Sequence, residues 1–283
     1  MSKIKIIADS TCDLSKELIE KYDITIVPLC VVMGETSYYD GVEITPDEIY
    51  KWADANKTTP KTAALSFDKT LEIIQPYMEN GDDIIFFGIS SKMSTTCNVV
   101  RLIAEQEEYD RLFVIDSLNL STGIGLQVIR AAEMAADGKS AEEIVNAIEN
   151  ARSKVRASFV VDTLTYLARG GRCTATKALL ASAFKLHPMI VVNDGAMGVD
   201  KKFRGKMPVA LNNYFGELKD ALLTSDPARV FITHSGCDDD TIKLVYDLVS
   251  GLNYFSEIHI TRAGGVISSH CGPGTLGILF YER

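Results

Sequence analysis

Short β-rich runs alternate with helical patterns along the first 157 residues. Apolar, β-branched runs predict strands at 3–8, 24–32, 83–89 and 112–116. Helices are predicted between and after these strands at 13–22, 46–55, 67–79, 96–107, 123–136 and 141–155. Strands joined by helices of this length need crossover connections, and these favour a mostly parallel sheet with helices on both faces. We therefore expect an N-terminal α/β/α domain over residues 1–157.

The pattern changes after residue 157. Strands are predicted at 158–161, 187–192, 198–204, 229–235, 257–261 and 277–281, and helices at 177–184, 208–224 and 241–252. Gly195 stands between two of the β-like runs, which is typical of a hairpin. Residues 158–283 are thus predicted to form an α+β domain with a mixed or antiparallel sheet. Since no Pro-, Gly- or Ser-rich linker separates the two domains, they should pack closely and bind a ligand between them.

The charge balance limits the classes of partner. Asp and Glu number 38 against 29 Lys and Arg, for a net charge of -9. Nucleic acids and anionic membranes attract positive proteins, so neither is expected as the main partner. The sequence also has no apolar run long enough to span a bilayer, and its six scattered cysteines lack a disulfide-framework spacing. We expect a soluble cytoplasmic protein with reduced thiols and no stable membrane insertion.

Hydroxyl-rich and acidic turns supply candidate ligand-binding groups. Asp9 and its neighbours follow the first strand, where α/β sheets place ligands, but Asp, Ser and Thr are also ordinary helix caps. Residues 90–96 (SSKMSTT) lead into a helix and offer hydroxyls beside free N-terminal amides. That turn could bind an anion or could only cap its helix. The segment 58–62 (TTPKT) is similar.

His270 and two basic segments are further candidates. His270 is predicted to lie in a glycine-rich turn, residues 268–275, where the backbone can approach a ligand or simply leave the ring exposed. Arg172 follows two glycines that could end a helix. Residues 201–206 (KKFRGK) are the concentrated basic segment, and they could form a docking patch or a solvated surface.

Motifs of several enzyme classes are missing. The sequence has no phosphate-binding G-x-x-x-x-G-K-[ST] loop, no H-E-x-x-H and no G-x-S-x-G, and Gly123 and Gly125 are not completed to G-x-G-x-x-G. The four histidines have no metal-ligand spacing. We therefore expect neither a metal nor a cofactor.

Taken together, these motifs resemble the DegV family of bacterial fatty-acid-binding proteins along nearly the whole chain. The matching segments are 8–14 (ADSTCDL), 26–29 (IVPL), 39–41 (YDG), 90–94 (SSKMS), 114–117 (VIDS), 163–172 (TLTYLARGGR), 202–206 (KFRGK) and 270–277 (HCGPGTLG). Each motif alone is weak, whereas eight in the same order are specific.

The resemblance implies a two-domain carrier that binds a long-chain fatty acid between its domains and is not itself an enzyme. Some members of the family serve as the lipid-binding subunit of a fatty-acid kinase, which phosphorylates the bound carboxylate for phospholipid synthesis. Carried over by motif, Thr62 and Ser94 bind the carboxylate, with Ser91 and His270 nearby. Arg172 and Arg204 face the kinase. The fatty acid is a ligand, and no other cofactor is implied.

Two segments depart from the family pattern. Residues 62–66 read TAALS where T-S-Q-P-S is usual, and residues 91–97 read SKMSTTC where S-G-x-S-G-T-Y is common. The head-group pocket of this chain should therefore differ in detail. Two other functions stay open: a stand-alone hydrolase or phosphotransferase using Asp9, Ser94 and His270, and a lipid sensor without a kinase. Turnover by the isolated protein would favour the first.

Overall fold

The computed structural model describes residues 3–173 and 186–283. Its strands, in chain order, are β1 (Ile4–Asp9), β2 (Thr25–Val27), β3 (Cys30–Met33), β4 (Thr36–Tyr39), β5 (Lys61–Ala63), β6 (Asp83–Gly88), β7 (Leu112–Asp116), β8 (Val155–Val160), β9 (Leu186–Asn193), β10 (Ala196–Arg204), β11 (Ser225–His234), β12 (Glu257–Arg262) and β13 (Leu276–Glu282).

The α-helices of the described residues are α1 (Lys16–Lys21), α2 (Pro46–Asn56), α3 (Phe67–Glu79), α4 (Thr96–Gln106), α5 (Thr122–Ala136), α6 (Ala141–Ala151), α7 (Thr165–Gly170), α8 (Met207–Leu223), α9 (Asp239–Ser250) and α10 (Gly265–Cys271). Short 3-10 helices occupy Ser10–Cys12 and Arg152–Lys154. The helix predicted at 177–184 lies outside the described residues.

The N-terminal half contains a parallel sheet in the order β2-β1-β6-β7. Its central strands, β1 and β6, are rich in Ile and Phe and are buried except at their first residues, as expected for strands covered by helices on both faces. The prediction of a mostly parallel α/β arrangement in this half is confirmed.

A second, antiparallel sheet of order β4-β3-β5 was not predicted. The single strand expected at 24–32 is in fact two strands in two different sheets, β2 and β3. Pro28 lies between them, and proline cannot donate the backbone hydrogen bond that a continuous ladder would need. The prediction of one long strand was therefore wrong, and the correction places Thr62 of β5 beside β3.

The C-terminal half forms a six-stranded mixed sheet of order β10-β9-β8-β13-β11-β12. Only β11 and β12 pair in parallel within it; the other pairings between these described strands are antiparallel. The predicted hairpin is present, because β9 and β10 pair through a turn in which Gly195 has φ +76°. The prediction of an α+β half with a mixed sheet is confirmed.

Helix α5 joins the two halves. It contacts β1 and β6 of the parallel sheet and β8 and β13 of the mixed sheet. Most of its residues between 122 and 132 are buried, so both sides of this helix belong to one continuous hydrophobic core. The predicted division between residues 157 and 158 falls within β8 and stays a prediction.

Local capping explains the helix starts that sequence reasoning predicted well. Thr45 and Ser140 each form a reciprocal capping box with a glutamate three residues on, and Pro46 occupies the first turn of α2. Two boundaries were wrong. Ser15, rather than Asp13, caps α1, and the helix expected to reach Val155 ends at Ala151, since Val155 begins β8.

Among residues 3–173 and 186–283, no helix is both long and apolar enough to cross a membrane. All six cysteines are free thiols, and four of them are buried. Burial raises the pKa of several of these thiols, which keeps them protonated and unreactive.

Candidate functional site

A mainly apolar cavity lies where segments of the two halves meet. It contains about 500 Å³ of space between atoms, part of it open to solvent. The lining residues of the N-terminal half are Leu29, Thr62, Ala63, Ala64, Ile89, Met93, Ser94 and Leu120. Those of the C-terminal half are Arg172, Met197, Val266, Ile267, His270 and Cys271. The wall of the cavity is therefore mainly apolar, with a few polar side chains among its residues.

Thr62 and His270 form the polar end of this cavity. Thr62 Oγ1 lies 2.7 Å from His270 Nε2, and this hydrogen bond joins strand β5 to helix α10. β5 is held by its antiparallel pairing with β3, in which Thr62 is opposite Val31. His270 was predicted in a turn, but it lies in the last turn of α10. The turn prediction was wrong because its glycines, Gly272 and Gly274, follow the helix end.

The His270 ring is held in a poorly solvated position. Its Nδ1 is buried and has no hydrogen-bond partner in the described residues. A Cβ atom added to Gly170 would lie 2.3 Å from this nitrogen, so the glycine leaves the space that the ring fills. Burial, helped by the positive charge of Arg172, lowers the pKa of His270 from 6.5 to about 4. The ring is therefore neutral near pH 7.

Ser94 lies in the turn between β6 and α4. Its Oγ is 2.9 Å from Thr96 Oγ1, and the turn is fixed by the amide of Ser94, which donates to the carbonyl of Ser90 at 3.1 Å. Thr95 begins α4 without a side-chain cap hydrogen bond. Ser94 Oγ instead accepts from the amide of Thr96 at 3.4 Å, so the Ser94 hydroxyl lies at the start of α4.

The other three predicted site residues lie at or beyond the edge of the cavity. Arg172 is exposed at its mouth, where Nη1 donates to the carbonyl of Gly170 at 2.8 Å and Nε to that of Met93 at 3.4 Å. Ser91 is exposed and does not line the cavity. Arg204 is exposed at the end of β10 and does not line it either. The structure therefore groups Thr62, Ser94, His270 and Arg172, and leaves Ser91 and Arg204 apart.

Three buried carboxylates stand behind the cavity wall. Asp9 accepts hydrogen bonds from the amides of Thr11, at 2.9 Å, and Ile89, at 2.7 Å. Asp9 therefore caps the 3-10 helix, in agreement with one of its two interpretations, and it also holds a residue of the cavity wall. Burial raises its pKa to about 6, although these hydrogen bonds oppose the shift.

Asp13 and Asp40 are the other two. Asp13 has a left-handed backbone, φ 51°, and Ser121 Oγ donates to its carboxylate at 2.5 Å. Burial raises the pKa of Asp13 to about 8 and also raises that of Asp40. Both carboxylates also contact the N-terminus of α10. They therefore hold the helix that carries His270.

A second cavity continues the first towards the mixed sheet. It holds about 330 Å³ of empty space and shares Leu120, Ile267 and Cys271 with the first. Phe159 and Leu279 belong to its apolar wall, and Thr233 and Ser235 add hydroxyls. The three shared side chains are all that the two linings have in common, so they separate two neighbouring spaces.

The apolar wall of the cavity was missed by sequence reasoning. Met93, Met197 and Ile267 look like ordinary core residues in the sequence, since no periodicity distinguishes a cavity wall from a packed core. Gly170 could have been identified from the sequence, because a helix end needs only one of the two consecutive glycines, Gly170 and Gly171. The glycine that ends α7 is in fact Gly171, with φ +70°, which leaves Gly170 free for the contact with His270.

The geometry supports binding better than hydrolysis. The hydrogen-bond partner of Ser94 Oγ is Thr96, and that of His270 Nε2 is Thr62, so neither side chain is arranged as half of a serine–histidine pair. The described residues contain no group of three His, Cys, Asp or Glu side chains that could hold a metal ion. Fold and site together define an α/β protein of three sheets with a mainly apolar cavity whose wall contains the Thr62–His270 pair and Ser94.

The chain belongs to the DegV family, whose model describes uncharacterised proteins and matches residues 3–283. A DegV domain-containing protein of Clostridium perfringens is 40% identical over 220 residues, which are 77% of this chain and 79% of the relative.

Solved structures of the family share the fold. A Thermus thermophilus DegV family protein, described by its fatty acid binding, superposes with a TM-score of 0.90 at 29% identity, covering 99% of this chain and 100% of the other. A stearic-acid-binding protein of Eubacterium ventriosum gives a TM-score of 0.84 at 29% identity, with 99% and 98% of the two chains covered. DegV family proteins thus include fatty-acid-binding proteins with this fold.

Proposed function

We propose that this protein binds one long-chain fatty acid between its two halves, residues 1–157 and 158–283, and presents the carboxylate to a partner fatty-acid kinase. The observation that carries the proposal is the cavity itself, whose wall is mainly apolar and also contains the Thr62–His270 pair and Ser94. An amphiphile with a single polar end matches this distribution of groups.

The apolar wall supplies the binding free energy. Each methylene removed from water contributes about 0.8 kcal/mol, so a chain of about sixteen carbons gains on the order of 10 kcal/mol before ordering costs. We propose that such a chain extends beyond the first cavity. Its distal part would pass Leu120, Ile267 and Cys271 and enter the second cavity, where Phe159 and Leu279 offer apolar surface.

The polar end offers neutral donors to the carboxylate. If the His270 proton is on Nε2, that nitrogen donates to Thr62 Oγ1, and the hydroxyl proton of Thr62 is then free to donate to the ligand. Ser94 Oγ, which lies 2.9 Å from Thr96 Oγ1, adds a second hydroxyl. A carboxylate that leaves water regains hydrogen bonds there without a permanent ion pair, and it keeps its nucleophilicity for attack on ATP.

Arg172 and Arg204 are proposed to face the kinase. Arg172 is exposed at the cavity mouth and Arg204 is exposed at the end of β10, so both can meet another protein while the fatty acid stays enclosed. In a chain of net charge -9, a local positive patch would guide docking. Because the proposed kinase uses ATP, the proposal implies that the protein acts in the cytoplasm. The acyl phosphate would then be used in phospholipid synthesis.

The test is direct. Protein purified from a bacterial host is denatured and extracted with organic solvent, and the extract is analysed by mass spectrometry. The expected result is about one fatty acid per chain, because an apolar cavity of this kind fills when a matching ligand is available. A lipid-free extract, together with no binding of added palmitate to the native protein, would contradict the proposal.

A further inference from the structure

Helix α10 is short, and it connects two features of the molecule. It begins at Gly265 and ends at Cys271, so its N-terminus and His270 are separated by about 7.5 Å along the axis at 1.5 Å per residue. Val266, Ile267, His270 and Cys271 of this helix all line the cavity. A small rotation or translation of α10 therefore moves the imidazole and a large part of the wall together.

The N-terminus of α10 is held by carboxylates from the other half of the chain. Asp40 accepts hydrogen bonds from the amides of Gly265, at 2.6 Å, and Val266, at 3.2 Å. Asp13 accepts one from the amide of Gly264 at 2.8 Å. These amides have no partner inside a helix, so the carboxyl oxygens satisfy donors that would otherwise be buried without a hydrogen bond.

Glycines at positions 264 and 265 allow the backbone to lie close to the two aspartates. A Cβ atom on Gly265 would lie 2.7 Å from Asp40 Oδ1, and one on Gly264 would lie 3.3 Å from both carboxylates. Two consecutive glycines thus leave room for two buried carboxylates. Asp40 is fixed in turn by Ser10 Oγ, which donates to it at 2.9 Å and accepts from the amide of Leu29, a cavity residue.

We propose that Asp40 and Asp13 are positioning residues for His270: they lock α10 so that the imidazole meets Thr62 at the polar end of the cavity. This inference rests on the proposed function, since it assigns the two aspartates a role in binding the fatty-acid head group. Neither aspartate lines the first or the second cavity. Each acts through the helix, across a contact between residues more than 200 positions apart.

Asp40→Asn is the sharpest substitution, because it keeps the size of the side chain. An amide oxygen can still accept from Gly265, but the amide nitrogen cannot accept from Val266, so one of the two α10 contacts is lost. The matched control is Asp238→Asn, which changes the carboxylate cap of α9 in the same way. Asp238 does not line either cavity.

Two measurements separate a positioning role from a structural one. In ligand-free protein, NMR of the His270 imidazole, assigned with His270→Gln, should show shifted resonances in Asp40→Asn and unchanged ones in Asp238→Asn. In palmitate binding, Asp40→Asn should raise the Kd about tenfold in the wild-type background, a coupling of ordinary size. In the His270→Gln background the same change should raise the Kd less than about twofold, because the residue it acts through is gone.

Equal losses of affinity in both backgrounds, or unmoved His270 resonances, would overturn the proposal. Should Asp40→Asn fail to fold, Ser10→Ala removes one donor to Asp40, and the His270 resonances must then shift in that variant. If wild-type protein binds no palmitate, the proposed function fails while the imidazole spectra still decide the positioning role. If it binds palmitate and the spectra do not move, only the positioning role fails.

Discussion

Thr62 Oγ1 and His270 Nε2 lie 2.7 Å apart although 208 residues separate them in the chain. Thr62 is held in a small antiparallel sheet of the N-terminal half, and His270 lies in a helix that packs against both halves. The polar end of the cavity therefore exists only when the two halves are docked. Substitutions of residues that hold this contact should therefore weaken ligand binding, even where those residues are far apart in the chain.

Thr62→Val should weaken palmitate binding by about 1–3 kcal/mol, because it removes a hydroxyl expected to donate to a charged oxygen while keeping the β-branched shape. Displacement of a fluorescent fatty acid measures the affinity. Thr36→Val is the matched control, since Thr36 is an exposed threonine of β4 in the same small sheet. Equal affinities for the Thr62 variant and the wild type would move the head group to another part of the cavity.

Gly170→Ala should reduce palmitate affinity, because the added methyl would lie 2.3 Å from His270 Nδ1 and push the ring away from Thr62. Gly216→Ala in α8 is the matched control: nothing lies within 4 Å of its added Cβ. That control should keep full affinity and gain up to about 1 kcal/mol of stability from helix propensity. Full affinity in the Gly170 variant would show that the ring position is not needed for binding.

Stability should fall between about pH 6.5 and 8 because of Asp13. Its pKa is 3.8 in an unfolded chain and about 8 in the fold, so over this window the folded state holds a proton that the unfolded state has released. Raising the pH removes this proton and costs stability. The pKa of His270 shifts the opposite way, from 6.5 to about 4, so this group changes the stability below the window and not within it.

Asp13→Asn imitates the protonated carboxyl, and its free energy of unfolding should therefore fall less over the same window. Urea denaturation at the two pH values gives the comparison. Asp238→Asn is the control, because the pKa of Asp238 is lowered by its cap hydrogen bonds and this group is fully ionised throughout the window. If the wild type and Asp13→Asn lose stability in parallel, the carboxyl does not carry the proton.

Arg204→Glu should leave palmitate binding nearly intact and reduce acyl-phosphate formation when a fatty-acid kinase and ATP are supplied. The arginine is exposed and does not line the cavity, so its charge acts on docking. Lys243→Glu, on the exposed face of α9, makes the same change in net charge and should have little effect. Salt should shrink the difference, since exposed charges are screened beyond about 10 Å.

Arg172→Ala is a separate case, because Arg172 lies at the cavity mouth. A role towards the kinase predicts a normal palmitate Kd and slow product formation with the kinase. A parallel loss of palmitate binding and product formation would instead assign Arg172 to the pocket. Formation of acyl phosphate from ATP by the isolated protein would contradict the carrier function altogether.

The sequence alone determined most of the helices and strands, and it predicted a parallel sheet in the N-terminal half and a mixed sheet in the C-terminal half. Crossover spacing predicted the parallel sheet, hairpin chemistry at Gly195 predicted the pairing of β9 with β10, and caps at Thr45 and Ser140 placed two helix starts. These signals are local, since a cap or a turn is decided by residues within a few positions. The family motifs identified Thr62, Ser94 and His270 as a group only by resemblance.

Tertiary structure decided what the local signals could not. Pro28 divides a continuous apolar run between two sheets, His270 lies in a helix rather than in its glycine-rich turn, and Asp13 holds a distant helix instead of beginning its own. Each outcome depends on which segments are docked against one another. Burial, carboxylate pKa shifts and the Thr62–His270 contact arise from long-range packing, and no pattern within a few residues specifies that packing.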